Sequence, residues 1–291
     1  MEISQQLIPV ILGKYKKELD DELMDILLYW IQHTVDRKKG GFYGAVDFNN
    51  VPDKKALKGI VLNSRILWTF SAATLFGLDE YEVIADRAFN YIEDHFRDGE
   101  YGGVYWSVNA TGTAKEYKKQ IYGQAFCIYS LSEYYKLSKN PQALEMAVEL
   151  YSLIEKYSYD EVNGGYVEAF TRDWKEIADL RLSDKDANEK KTMNTHLHII
   201  EAYANLYTVW RDESLLKKIK DLLSVFHKHI IDTTTHHLHL FMTEDWNVKS
   251  STYSFGHDIE AAWLLLECAQ HIEDSAEIAL FKKHAVSLSK A

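Results

Sequence analysis

Apolar residues recur at three- and four-residue steps along most of this chain, the spacing of helices with one buried face. Between residues 3 and 32 the run takes in Leu23, Ile26, Leu27, Trp30 and Ile31. Similar periodicity predicts helices over about 57–77, 79–96, 117–137, 140–157, 190–210, 212–230, 253–272 and 274–290. Nine helices make the fold all-α. Short segments of another character lie between helix pairs: Gly40-Gly41-Phe42-Tyr43-Gly44, Gly102-Gly103-Val104-Tyr105-Trp106 and Gly164-Gly165-Tyr166-Val167. Double glycines permit left-handed backbone, and the residues after them alternate as in a small β-hairpin. A fourth segment, His236 to Phe241, alternates in the same way without the glycines.

Gly40, Gly102 and Gly164 stand 62 residues apart. A fixed period means that one unit is reused, and that each unit buries its apolar face against the next. The unit here is hairpin, inner helix, outer helix. Closing such units into a ring gives an α/α toroid, with an open solenoid as the competing architecture. A toroid gathers the starts of alternate helices around one cavity. Polar residues stand at those starts: Asn63 and Arg65, then Tyr122, Gly123 and Gln124, then Asn194, His196 and His198, then Gly256 and His257. Arg65 to Gln124 and His198 to His257 both span 59 residues, with an insertion near 175–190 widening the middle interval. A purely structural repeat gives no reason for such variation.

Composition narrows the classes. With 291 residues, 46% of them hydrophobic, and only three prolines, one domain over 1–291 is the expectation. A net charge of −11, scattered along the chain, argues against a nucleic-acid surface. The first residues lack the pattern of a signal peptide, and no apolar run reaches the ~20 residues of a membrane span. Cys127 and Cys268 lie in apolar helical stretches, so buried thiols in a cytoplasmic protein are expected. An aromatic content of 13% suits a carbohydrate ligand as well as a helical core.

Two stretches carry the chemistry. In Lys191-Thr-Met-Asn-Thr-His-Leu-His198, residues 194 and 198 share a helical face while His196 points elsewhere. Asn194 can bind a hydroxyl or cap the helix; His198 can donate to a carbonyl oxygen or sit in the core. In Gly256-His-Asp-Ile-Glu-Ala-Ala-Trp263, Glu260 lies one turn from His257 and can orient its ring. Trp263 neighbours Glu260, as a sugar platform or as a core residue. The histidines at 236, 237 and 239 lack a carboxylate partner, so no metal is expected there. Asp184, Asp186 and Asn188 open like a calcium loop, but Glu189 and Thr195 stand where it needs glycine and glutamate. Phosphate-loop, nucleophile-elbow and dinucleotide fingerprints are missing, so no cofactor is implied.

Those two stretches, with Asn63-Ser64-Arg65 and Tyr122-Gly-Gln-Ala-Phe126, resemble the N-acylglucosamine 2-epimerase superfamily, in particular its members acting on cellobiose. The resemblance runs over essentially the whole chain. It implies an (α/α)6 barrel and reversible epimerisation at C2 of a reducing-end glucose through an enediolate, without metal or nucleotide. By that resemblance His257 exchanges the C2 proton with Glu260 in support, and His198 works beside it. Arg65, Asn194 and His198 bind the ring or its oxygens; Tyr122 and Trp263 line the pocket.

The family's barrel has twelve helices where nine are predicted here. The expectation is therefore a chain that stops short of a second catalytic histidine, with reduced stability and self-association; a complete one would be monomeric. Competing readings are an aldose–ketose isomerase of the same fold, a toroidal glycoside hydrolase, and an inactive sugar-binding remnant. The hydrolase needs two facing carboxylates, whereas the helix starts offer histidine, arginine and asparagine.

Overall fold

A computed structural model describes the backbone from Leu7 to Ala291 and side chains from Leu12 onward. Residues 3–6 of the first expected helix lie outside the described residues. Within them are nine α-helices: α1 (Leu7–Thr34), α2 (Ile60–Leu75), α3 (Glu82–His95), α4 (Ile121–Ser138), α5 (Pro141–Tyr157), α6 (Met193–Val209), α7 (Glu213–Val225), α8 (Phe255–His271) and α9 (Ser275–Leu288). Local chemistry sets many of the starts. Asn140 caps α5 ahead of Pro141, and Asp212 and Asp274 cap α7 and α9, each accepting from free amides of the first turn.

Burial separates two kinds of helix. In α3 the buried residues Ala85, Ala88, Phe89 and Ile92 form one stripe, as expected of a helix with its other side in water. In α4 and α6 buried residues occur on nearly every side. The inner helices α2, α4, α6 and α8 pack in succession, and α3, α5, α7 and α9 back them from outside. Side chains of all four inner helices, Arg65, Phe126, His198 and Glu260, line one cavity. An open superhelix would carry α2 away from α8; here they curve around a shared centre, as in a toroid.

The hairpins supply the joints. Single bridges close them at Val35–Phe42, Arg97–Val104, Tyr159–Tyr166 and Ile231–Leu238, so the fourth segment takes the same form without glycines. His236 there adopts the left-handed φ of 62° that glycine adopts in the others. Just after each bridge begins stands an aspartate, at 36, 98, 160 and 232, whose Oδ1 accepts amides of the turn. In three repeats its Oδ2 also meets a buried lysine two residues before an inner helix. Lys58 reaches Asp36 (3.2 Å), Lys119 reaches Asp98 (2.9 Å) and Lys191 reaches Asp160 (2.7 Å). Each ammonium also donates to a glycine carbonyl of the turn, at 40, 102 or 164. The same lysines sit in two-residue strands that pair antiparallel with the next repeat: Lys58–Gly59 with Ser107–Val108, Lys119–Gln120 with Ala169–Phe170, Lys191–Thr192 with Phe241–Met242.

The second glycine of each pair answers to crowding as well as to backbone angle. A Cβ on Gly165 would stand 2.6 Å from the Trp246 ring and 2.7 Å from His196, at a φ of 76°. Gly103 meets Trp174 and Gln124 in the corresponding way.

Burial alone would raise the Asp160 carboxyl, but Lys191 and the amides of the turn hold it down at about 2. Removing one partner of such a pair leaves an uncompensated buried charge. Lys191→Met is therefore expected to cost about 3–5 kcal/mol of unfolding free energy in chemical denaturation. Adding Asp160→Asn, which keeps the turn's acceptor, is expected to recover part of that loss; no recovery would mean that the lysine acts by packing alone.

Candidate active site

Each inner helix repeats a set of positions, counted from Ile60, Ile121, Met193 and Phe255. The fourth residues are Asn63, Gln124, His196 and Asp258, all buried. Three of them clamp a hairpin. Gln124 accepts from the Val104 amide at 2.8 Å and donates to its carbonyl at 2.9 Å. His196 Nε2 accepts from the Tyr166 amide at 2.9 Å, and Asp258 Oδ1 from that of Leu238 at 3.0 Å. Asn63 instead donates to Gly59 of its own helix start. The variation among these residues, expected to be functional, is thus largely structural: different side chains fill one clamping role. Gly123, the third residue of α4, gives room for Trp106.

The sixth residues, Arg65, Phe126, His198 and Glu260, face the centre together with the ninth, Trp68, Tyr129, Glu201 and Trp263. They line a cavity of about 300 Å³. The register therefore equates Arg65 with His198 and Glu260; the expected equivalence of Arg65 with Gln124 and of His198 with His257 does not hold. The Arg65 guanidinium lies over the Phe126 ring at 4.7 Å, and Phe126 contacts His198 at 4.6 Å between centroids. Tyr122 meets the His198 ring edge-on at 5.0 Å. Burial raises the Tyr122 phenol above its usual range, against the opposing pull of Arg65. Trp68 and Tyr129 stack at 5.3 Å on the cavity wall.

His198 is buried, with Nδ1 2.8 Å from Glu201 Oε2. A carboxylate at Nδ1 selects the tautomer that leaves Nε2 for another partner. That Nε2 lies 3.9 Å from Glu260 Oε1. Glu260, expected to orient His257, is placed beside His198. The Nδ1 of His257 bonds Ser254, the cap of α8, at 2.8 Å.

His257 faces a neighbouring cavity of about 230 Å³, shared with Asn194, Ser254, Glu168 and Thr192 and roofed by residues of the 180–189 loop. Thr192 caps α6, which removes the capping role from Asn194. The Asn194 Oδ1 is buried without a hydrogen-bond partner, as a group reserved for a ligand would be. The candidate residues thus fall into two adjoining groups: Arg65, Tyr122, His198, Glu260 and Trp263 in one, Asn194 and His257 in the other. Trp68, Tyr129 and Glu168 were not singled out from sequence, and counting three residues on from Arg65 finds Trp68; Glu201 was legible in the His198-Ile-Ile-Glu201 spacing, which matches His257-Asp-Ile-Glu260.

Among the described residues, no group of three or more histidines, cysteines or acids is placed to hold a metal ion. His237 is engaged with Asp258 at 2.8 Å, and Asp186 closes a turn onto Ser183. Both cysteines are free and buried, and no described helix is long and apolar enough to cross a membrane.

Burial holds the His196 ring down at about 4, with Nδ1 against the Thr192 carbonyl. A histidine depressed in the folded state binds its proton more readily when unfolded, so stability falls as pH drops from about 6.5 towards 4. The expected loss between pH 7 and 5 is about 2 kcal/mol. Denaturation of His196→Gln at both pH values should lack that increment; an equal loss in the variant would assign it to other groups.

Comparison with known proteins gives the family and agrees with the fold. The family model for N-acylglucosamine 2-epimerase (GlcNAc 2-epimerase) matches residues 41–291. A cellobiose 2-epimerase of Bacteroides fragilis is 49% identical over 94% of this chain and 72% of its own length. Another, of Dictyoglomus turgidum, is 37% identical over 89% of this chain and 67% of its own. The solved cellobiose 2-epimerase of Bacillus thermoamylovorans superposes with a TM-score of 0.90 at 34% identity, covering 96% of this chain and 71% of that one.

Proposed function

The chain belongs to the N-acylglucosamine 2-epimerase family, and from that premise we propose that it interconverts glucose and mannose at the reducing end of cellobiose and related β-1,4 disaccharides. The observation that carries the reading is the cavity itself. Four inner helices deliver a cation, a carboxylate-anchored histidine, a second carboxylate and aromatic walls to one centre, beside a second histidine and an unsatisfied amide.

Epimerisation at C2 begins from the open-chain aldehyde, whose C2–H is only weakly acidic. A base removes that proton effectively only if the oxygen gaining charge is stabilised at the same time. His257 is assigned the proton transfer. Arg65, Asn194 and His198 are assigned the C1 and C2 oxygens: the guanidinium can donate as the enediolate forms, the Asn194 Oδ1 can accept from a hydroxyl, and the His198 Nε2 accepts from a hydroxyl when the ring is neutral and donates only when it is protonated. Glu260 supports the pair, lying 3.9 Å from His198 Nε2 and one helical turn from His257. The intermediate is planar, so return of the proton from the His257 imidazolium to the opposite face, once ring and substrate have turned relative to each other, or from a second acid on the opposite wall, produces the other epimer. Tyr122 and Trp263 supply walls for the sugar, and Trp263, 52% exposed, offers a stacking surface at the mouth.

One contiguous apolar cluster running from α1 to α9 supports reading the described chain as a single domain. Two buried free thiols suit a reducing compartment such as the cytoplasm.

Incubation with cellobiose in deuterated water is expected to place deuterium at C2 of a glucosyl-mannose product. His257→Ala should lower kcat by about 10²–10⁴-fold. A ketose product would identify an isomerase instead, and release of free glucose a hydrolase. Full turnover by the alanine variant would refute the role given to His257.

A further inference from the structure

Three hairpins present one carbonyl to the start of an inner helix: Trp106 to Ile60, Glu168 to Ile121 and Leu240 to Met193, at 3.1, 3.0 and 3.0 Å. Trp106, Glu168 and Leu240 therefore occupy one position of the repeat. The scaffold is satisfied there by tryptophan or leucine, yet the third hairpin carries a carboxyl only 2% exposed. Burying that group costs free energy unless it is fully hydrogen-bonded. Its bonds all go to the first turn of α6. Oε1 accepts from the Thr192 amide (2.9 Å) and hydroxyl (3.0 Å), and Oε2 from the Thr195 hydroxyl (2.6 Å). Asn194 lies between these threonines with its Oδ1 unpartnered, and His198 follows one turn later. Glu168, Asn194 and His257 also line the same cavity. A residue that breaks the rule of its own repeat, in a site wall, marks function more often than folding.

We propose that Glu168 is a positioning residue for epimerisation: its grip on Thr192 and Thr195 fixes the first turn of α6 and thereby aims the Asn194 Oδ1 at a substrate hydroxyl. The inference rests on the function proposed above. Burial, against the three hydrogen bonds, lifts the Glu168 carboxyl to about 8. The charged or titratable groups around it are Asp186, Arg181, Lys185, Glu189 and His257 on the cavity wall, with Lys118 behind. The ionised form accepts all three donors at once, so the grip is firmest above that pH.

The test compares Glu168→Leu, Glu168→Gln and Thr195→Val. Leucine is what the fourth hairpin uses at this position, so Glu168→Leu should still fold, with a lower melting temperature from the donors it leaves unpaired, while kcat for cellobiose falls roughly 100-fold at little-changed KM. Glutamine can accept from Thr192 and donate to the Thr195 hydroxyl. It should restore kcat to within about tenfold and remove a pH limb near 8. Parental kcat in the leucine variant, or a glutamine variant no better than leucine, would overturn the proposal. If the leucine variant does not fold, Thr195→Val decides, by showing or lacking the same loss of kcat. The side-chain amide resonances of Asn194 give a reading independent of turnover: displaced in Glu168→Leu and near-parental in Glu168→Gln. Should the parent convert no cellobiose, the proposed function falls, while those resonances still support or reject the positioning role.

Discussion

The tie between a buried lysine and the aspartate of the preceding turn organises this molecule. Lys58, Lys119 and Lys191 are almost wholly out of water, and so are the carboxylates they meet. Each ammonium also donates to a carbonyl of the turn, so the pair is bonded on several sides. That completeness is what makes a buried ion pair tolerable. Each lysine stands two residues before an inner helix, inside a strand that reaches to the next hairpin. One interaction therefore sets the hairpin, the entry of the inner helix and the register to the following repeat. The fourth hairpin keeps the aspartate but has Tyr253 where the lysine would stand, stacked on His237 at 4.2 Å. Its geometry is held instead by Asp258, which bonds both His237 and the Leu238 amide.

Much of the architecture was legible in sequence because it is written in periods. All nine predicted helices occur among the described residues, with the starts after the first moved by one to four residues, and the hairpins stand where the glycine pairs predict them. The fourth hairpin was legible through alternation alone, since His236 adopts the left-handed conformation without being glycine. The Lys–Asp ties were not legible. A lysine ahead of a helix ordinarily signals a solvated flank, and only the fold shows that three of them point inward. Buried acids such as Glu168 escape for the same reason: composition gives a carboxyl no address.

Within the site, residue types were easier to read than pairings. Arg65, His198, Glu260 and Trp263 meet around one cavity, as the toroid implies, with Tyr122 against the His198 ring. Local spacing suggested that Glu260 orients His257, because three residues on a helix are neighbours. Curvature overrules that proximity. It brings α6 against α8, so Glu260 comes within reach of His198, while Ser254, the cap of α8, takes His257. A contact between helices competes with one along a helix, and the sequence displays only the latter.

The separation of scaffold from chemistry follows from helical geometry. Fourth and sixth residues are two apart, hence about 200° apart around the axis at 3.6 residues per turn. When the fourth residue faces back to clamp its hairpin, the sixth faces the centre, and the ninth lies one turn below it on the same side. The ladder Arg65–Trp68, Phe126–Tyr129, His198–Glu201, Glu260–Trp263 is that rule applied four times. Clamping requires only a polar group of suitable reach, which glutamine, histidine and aspartate each provide. The inward positions carry no such constraint from the hairpins. They can differ from helix to helix without disturbing the fold, and a symmetric scaffold thereby surrounds its centre with an asymmetric set of one cation, one imidazole, two carboxylates and four aromatic rings. Asymmetry of that kind is what a reaction at one carbon of a sugar requires, because proton transfer and oxygen stabilisation must act from different directions.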